Sequence, residues 1–225
     1  VWKFDLSDAA STPTLLFTAT DADGNAQPIT SKLAIATHPL TRKRWVFFGT
    51  GRYLTASDAE ATSVAVQSMY GVIDESETVE RDELTQRNFS VTSDTVSGFP
   101  VRAFEAKSAL PADSKGWYIN LPESGERIVQ DAQVASGFLV TASMVPTGSA
   151  CDADGTGYIN ALNAFTGTSG GGSFFDLNNR NGTKDDTVGD DNVPVGSVNT
   201  GAGMPTLPNL LRGLTIVGGT SVIGS

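Results

Sequence analysis

Asp176-Leu-Asn-Asn-Arg-Asn-Gly-Thr-Lys-Asp-Asp186 places five oxygen-bearing side chains, Asp176, Asn178, Asn181, Asp185 and Asp186, within eleven residues. Such a set can converge on a hard divalent cation, Ca2+ above all, with Gly182 supplying the turn. Arg180 falls where an alternate-position pattern wants an acid, and Asp190 and Asp191 add charge nearby, so a solvated acidic loop is the competing reading. A second run, Asp152-Ala-Asp-Gly-Thr-Gly-Tyr-Ile159, also alternates carboxylates around a glycine. Counted from Asp152, however, position twelve is Asn163 where a bidentate Glu is needed, and no helix pair flanks it, so it reads as a hairpin turn.

Little else in the chain is built for chemistry. His38 is the only histidine and sits in an exposed His-Pro turn beside Arg42, Lys43 and Arg44, with no partners for a triad or a histidine metal centre. Cys151 is the only cysteine, so it forms no internal disulfide and reads as a small buried apolar group. Gly49-Thr-Gly51 is too short for a phosphate loop, and no Gly-Lys-Ser/Thr follows. Trp2, Trp45, Trp117, Tyr53, Tyr70 and Tyr118 could line a carbohydrate or peptide surface, but in a sheet protein such rings more often pack between sheets. Arg-Gly-Asp does not occur, and two sequons, Asn88-Phe-Ser90 and Asn181-Gly-Thr183, matter only where such sites are glycosylated. No catalytic residue is expected.

The elements that must position these residues read as β. The apolar runs are short and rich in Val, Ile, Thr, Phe and Tyr, and 24 glycines and 10 prolines punctuate them. Strands are expected at Val1–Leu6, Leu15–Thr20, Leu33–Thr37, Arg44–Thr50, Val64–Asp74, Asn88–Thr92, Val101–Glu105, Gly116–Leu121, Glu126–Val129 and Gly137–Val145. Ser57 and Glu60 have capping-box spacing, which predicts a turn or two of helix over Ser57–Ser63. Short strands without long helices suit a sandwich, barrel or propeller, and grouping them in fours gives about four blades. The expected division is 1–165 as blades and 166–225 as a glycine-rich, acidic loop followed by strands of the same propeller. The late apolar runs at Leu210–Val217 and Thr220–Ile223 would complete a blade or cover a sheet edge.

At 225 residues and 39% hydrophobic content the chain can bury a substantial core. Its net charge of −10 repels polyanions, which argues against nucleic acid as a partner and favours divalent cations. No run of eighteen apolar residues is present, so no transmembrane helix is expected, and the amino terminus lacks the pattern of a signal peptide. Strand-like alternation from the first residue suggests a fragment of a longer polypeptide whose earlier blades are missing.

Val1-Trp-Lys-Phe-Asp-Leu6, Gln27-Pro-Ile-Thr30, Phe48-Gly-Thr-Gly-Arg-Tyr53, Gln67-Ser-Met-Tyr-Gly-Val-Ile-Asp74, Gly116-Trp-Tyr-Ile-Asn-Leu121 and Gly125-Glu-Arg-Ile128 together resemble the C-terminal propeller of the PilC/PilY type IV pilus tip adhesins. The resemblance covers most of the chain. It implies an all-β propeller protein, extracellular at the cell surface or pilus tip and outer-membrane associated. Such a protein supports pilus assembly, opposes retraction, serves adhesion and twitching motility, and has pilins or minor pilins and host or abiotic surface ligands as partners. The family's well-known calcium loop precedes the Trp-x-Phe-Asp strand and so falls outside this sequence. Quinoprotein propellers carry similar blade strands, so a secreted propeller enzyme or glycan-binding domain is the alternative.

Overall fold

A computed structural model describes residues 1–8, 10–59, 65–146, 155–178, 185–206, 208–211, 214–216 and 222–224. The described residues are all-β, with 3-10 turns at Ala56–Ala59 and Arg81–Glu83. In chain order the first strands are β1 (Trp2–Lys3), β2 (Thr14–Leu15), β3 (Ala34–Thr37), β4 (Arg44–Gly49), β5 (Ser68–Ile73) and β6 (Thr85–Arg87). The middle of the chain gives β7 (Phe89–Val96), β8 (Phe99–Phe104), β9 (Gly116–Asn120), β10 (Gln133–Ala135), β11 (Phe138–Pro146) and β12 (Gly155–Asn163). The last are β13 (Thr187–Val188), β14 (Val193–Pro194), β15 (Ser197–Val198), β16 (Asn209–Leu211), β17 (Leu214–Ile216) and β18 (Val222–Gly224).

Two sheets dominate. One runs β3-β4-β5-β9-β6, antiparallel except where β6 joins β9 in parallel, and the other runs β10-β11-β12-β15-β8-β7. Smaller ladders join β1 to β2, β13 to β14, and β16 to β17 to β18. Among the described residues no helix is long and apolar enough to cross a membrane.

The side-chain pattern dictates how these sheets stack. In β4 and β5 both faces are apolar, so the strands read as continuous hydrophobic runs and become central, covered on each side. Trp45, Phe47, Met69 and Ile73 face the six-stranded sheet, meeting its Phe104, Leu139 and Leu162. Val46, Phe48, Tyr70 and Val72 face the other way, onto Leu16, Phe17, Val79 and Leu84. The six-stranded sheet in turn buries Val140, Ala142, Ile159 and Ala161 under Phe175, Leu177, Val188, Val193 and Val195. The chain after residue 166 is therefore joined to the preceding strands, since β15 inserts between β12 and β8.

The structure differs locally from the expected elements. Glu126–Val129 is not a strand; Arg127 makes an isolated bridge to Met144, and the neighbouring Ile128 amide donates to the Thr50 carbonyl. The run read as a hairpin turn enters strand already at Gly155, and β12 pairs with β11 from Gly155↔Pro146 to Asn163↔Phe138. Gly157 permits this, since a Cβ there would lie 2.5 Å from the ring of Pro205. Cys151, Asp152 and Asp154 lie outside the described residues, as does Glu60 of the expected capping box. The described start of the expected helix is the 3-10 turn at Ala56–Ala59.

Candidate functional site

The acidic segment is mounted on the outer face of the six-stranded sheet. Phe175 and Leu177 alternate into the core, and Asp176 between them is also buried, 4% exposed. Asp186, 3% exposed, accepts a hydrogen bond from the Leu177 amide at 2.6 Å, while its own carbonyl accepts from Val195 at 3.0 Å. Asn178 donates from Nδ2 to Asp185 Oδ1 at 3.1 Å. Of the five expected ligands, Asn178 and Asp185 are thus in contact, Asp176 and Asp186 are buried nearby, and Asn181 lies outside the described residues. Asp186 Oδ1 and Asn178 Oδ1 are buried with no hydrogen-bond partner among the described residues. Burial raises the Asp186 carboxyl above its ordinary value, and the charges of Asp176 and Asp185 push it the same way. Oxygens in that state fit a hard cation such as Ca2+. Among the described residues, no three His, Cys, Asp or Glu side chains form a metal-holding group by themselves.

His38 is only partly exposed. Its Nδ1 accepts from the Leu40 and Thr41 amides at 3.2 and 3.1 Å, and its ring packs edge-on against Phe165 at 4.7 Å, so it holds a turn. Trp45, Trp117 and Tyr70 are buried between sheets, whereas Trp2 is 59% exposed. The Trp117 indole donates to the Ala164 carbonyl at 2.8 Å.

Most of the segments that carry the sequence resemblance meet at one place. The Thr50 amide donates to the Ser68 carbonyl at 2.9 Å, and the Thr50 carbonyl accepts from Ile128 at 2.9 Å. Gly51 donates to the Pro28 carbonyl at 2.8 Å, and its own carbonyl accepts from the Thr30 hydroxyl at 2.8 Å. Gln27 donates to Ser68 Oγ at 3.0 Å and accepts from the Tyr70 hydroxyl, and Ser68 donates to Asn120 Oδ1 at 2.9 Å. Arg127, 1% exposed, reaches the carbonyls of Arg52 and Asp58 at 3.0 and 2.7 Å. These segments are a hydrogen-bonded knot of the framework, with main-chain groups as most of its partners.

Sequence reasoning missed a second polar cluster. Thr141, Asn160, Ser197 and Arg102 form one cross-strand row through β11, β12, β15 and β8, each wholly buried. Arg102 binds Glu126, itself 1% exposed, through Nη1 at 2.9 and 3.0 Å, contacts Glu123 through Nη2, and lies 3.4 Å over the Tyr158 ring. Asn160 donates to Ser143 and accepts from Ser197, and Ser143 donates to Glu126. No spacing rule could have found it, because the members come from four strands and a loop. It is an arginine clamp turned inward, with Arg102 and Glu126 closed to any substrate.

The comparisons agree with this architecture. A family model described as the PilY1 beta-propeller domain matches residues 2–93. A type IV pilus biogenesis factor PilY1 homolog from Xylella fastidiosa is 36% identical over 216 residues, covering 93% of this chain and 17% of the relative. Type IV pilus biogenesis factor PilY1 of Pseudomonas aeruginosa is 26% identical over 190 residues, covering 72% of this chain and 16% of that protein. The crystal structure of the Pseudomonas aeruginosa PilY1 C-terminal domain matches with a TM-score of 0.78 at 22% identity, covering 94% of this chain and 48% of that one. The chain thus spans less than a fifth of these curated relatives and about half of the solved domain. Residues 2–93 thus match the PilY1 β-propeller family model, and the chain as a whole is similar in sequence to PilY1-type pilus biogenesis factors and in fold to the PilY1 C-terminal domain.

Proposed function

We propose that this chain serves type IV pilus biogenesis as part of the propeller of a surface-exposed, pilus-associated protein, and that its loops contact pilins or an adhesion ligand. The observation that carries the reading is the 36% identity over 216 residues with a protein named as a pilus biogenesis factor. The physical arrangement supports a scaffold: framework polar groups are spent on one another, and a rigid sheet stack can present loops while resisting load. The buried state of Arg102 and Glu126 favours a non-enzymatic role over the propeller-enzyme alternative.

The acidic segment adds an ion to this reading. Ca2+ held by Asp176, Asn178, Asp185 and Asp186 would neutralise carboxylates that repel one another and fix the segment covering the six-stranded sheet. Attachment or pilus extension then follows calcium concentration through the order of this loop.

The test is replacement of the corresponding segment of a PilY1-type protein by this chain, with surface pili, twitching and attachment scored in calcium and in chelator. Restored piliation is expected. A stable, exported chimera that restores no pili would overturn the biogenesis role, and calcium-independent attachment would remove the ion from it.

A further inference from the structure

Two polar atoms of the knot around Thr50 are left unsatisfied. Arg127, 1% exposed, meets main-chain carbonyls among the described residues, those of Gly125, Arg52 and Asp58, and its Nη2 is buried with no described hydrogen-bond partner. Gln67, 4% exposed, donates from Nε2 to the Ala65 carbonyl at 2.8 Å, whereas its Oε1 is buried with no described partner. Both side chains line one cavity of about 290 Å³, together with Arg52 and Asp58. The Asp58 carboxylate is already taken, since it accepts from Arg52 at 3.0 Å and from the Leu54 and Thr55 amides. The described lining therefore sets two guanidinium groups against one acid, and the buried one, Arg127, has carbonyls in place of a carboxylate against it. Buried charges are ordinarily paired, and an unmatched donor and acceptor in a cavity wall each cost free energy that a bound partner restores. Arg52, its side chain 54% exposed, is the member open to solvent.

A second cavity, of about 350 Å³, adjoins the first at Ala65 and is lined by Asp23, Asn25 and Asn120. The two cross the end of the five-stranded sheet, where β4 stops at Gly49, β5 begins at Ser68 and β9 stops at Asn120. Main-chain amides at this end are engaged: Thr50 donates to Ser68, Gly51 to Pro28 and Leu121 to Gln67. An extended peptide that binds by adding a strand needs such groups unpaired. Recognition falls instead to side-chain amides, carboxylates and guanidinium groups, whose mixed donors and acceptors match the hydroxyls of a sugar.

We propose that the cavity at Arg127 binds the carboxylate of an acidic sugar residue in a glycan, with the adjoining sugar in the cavity at Asn25 and Asn120. Arg127 Nη2 and Arg52 donate to the carboxylate, and Gln67 Oε1 accepts from a neighbouring ring hydroxyl; hydrogen bonds between guanidinium and carboxylate are among the strong ones. The inference rests on the reading of this chain as part of a surface protein with an adhesion ligand, and it names the chemical class of that ligand. The net charge of −10 repels a densely charged polyanion, so the fit is to a glycan whose acids are spaced apart. The competing occupant is the carboxyl terminus of a peptide, which carries an amide donor beside its carboxylate.

The test uses a PilY1-type protein with this chain in place of its own segment, purified and titrated with three probes by ligand-observed NMR. These are a glucuronyl disaccharide, the matching disaccharide with glucose in place of glucuronate, and an N-acetyl dipeptide with a free carboxylate. The glucuronyl disaccharide is expected to bind at least about tenfold more tightly than either of the others, and Arg52→Ala to weaken it about tenfold, as loss of a charge-assisted hydrogen bond does. Should Arg52→Ala misfold, Arg52→Lys keeps a cation beside Asp58 but loses the planar fork, and reads the same loss. Equal affinity for the two disaccharides, or binding undisturbed by both Arg52 changes, would overturn the proposal. So would preference for the dipeptide, which would assign the cavity to a peptide carboxylate. A folded chimera that restores pili and binds none of the probes would remove the glycan site and leave the biogenesis reading standing. One that binds the glucuronyl disaccharide and restores no pili would support the site and count against that reading.

Discussion

Gly51 lies against the stem of Arg127: a Cβ at Gly51 would stand 2.5 Å from the Arg127 Cβ, and the glycine backbone has φ +146°. The glycine is therefore required twice, by the conformation of its own chain and by the arginine that crosses it. Arg127 uses that approach to reach the carbonyls of Arg52 and Asp58, tying the loop after β4 to the segment before β10. Gly51→Ala is expected to destabilise the chain by about 3 kcal/mol in urea unfolding, combining backbone strain and overlap. Gly98 provides the comparison, with φ +85° and nothing within 4 Å of a Cβ; Gly98→Ala is expected to cost about 1 kcal/mol. Equal losses would show that the close approach to Arg127 contributes nothing.

Asp186 links the calcium proposed for the acidic segment to protonation, because burial raises its carboxyl. Its raised carboxyl means that, without an ion, its contribution to stability is present below its ordinary value of 3.8 and lost as pH rises through the raised value. Asp186→Asn is therefore expected to leave stability unchanged or increased in chelator at pH 7, while abolishing the gain from calcium. In the unsubstituted protein, calcium at about one hundred times its Kd is expected to add about 2.7 kcal/mol, or roughly 5–10 °C in melting temperature. That gain should fade on acidification at a higher pH than an ordinary aspartate would impose. Calorimetry in calcium and in chelator from pH 4 to pH 7, on the scale of ordinary carboxylate titration, checks the sign. A calcium effect that survives Asp186→Asn would remove Asp186 as a ligand.

Asp58 predicts the opposite pH response. Its carboxylate accepts from the Leu54 and Thr55 amides at 2.9 and 2.8 Å, from the Thr55 hydroxyl at 2.8 Å, and from Arg52 at 3.0 Å. The Leu54 amide leads these in holding the carboxyl far below its ordinary 3.8. Stability from Asp58 is thus fully present above the ordinary value and lost as pH falls through the depressed one. Asp58→Asn should be less stable than the parent at pH 7, with the gap shrinking as pH falls below about 4. A constant gap across that range in urea unfolding would show that the carboxylate charge is not what organises the loop.

The contrast between these residues shows what the sequence could reveal. β4 was legible because Arg44–Thr50 is an apolar run bounded by glycine, and hydrophobicity is local information. The contact of Asn178 with Asp185 was legible because the two are close along the chain. Parallel β6 was not legible, since Thr85-Gln-Arg87 has no apolar pattern and is strand only because β9 offers it an edge. Ser57 carries the capping-box spacing, whereas the role of Asp58 depends on a loop path that Arg127 and Gly51 help to fix from outside the segment. Arg102 was invisible for the same reason: its partners Glu123 and Glu126 come from another segment, and its burial follows from the face-to-face packing of two sheets.

Arg102 and Glu126 are the strongest test of that packing. Burial raises the Glu126 carboxyl in spite of the arginine beside it, so ionising this site is costly and the pair holds together by mutual compensation. Removing one partner leaves the other charge buried; Glu126→Ala is expected to cost about 3–5 kcal/mol, although the Glu123 contact to Arg102 offsets part of this. Replacing both, Arg102→Met with Glu126→Leu, removes the two desolvation penalties together and should cost less than the sum of the single changes. The cycle is read from urea unfolding of the four proteins, with a coupling of about 1–3 kcal/mol expected. Strict additivity would mean that each group is satisfied independently by Glu123, Ser143 and Tyr158. The polar row across β11, β12, β15 and β8 would then be a set of separate contacts, not one network that fixes how the two sheets meet.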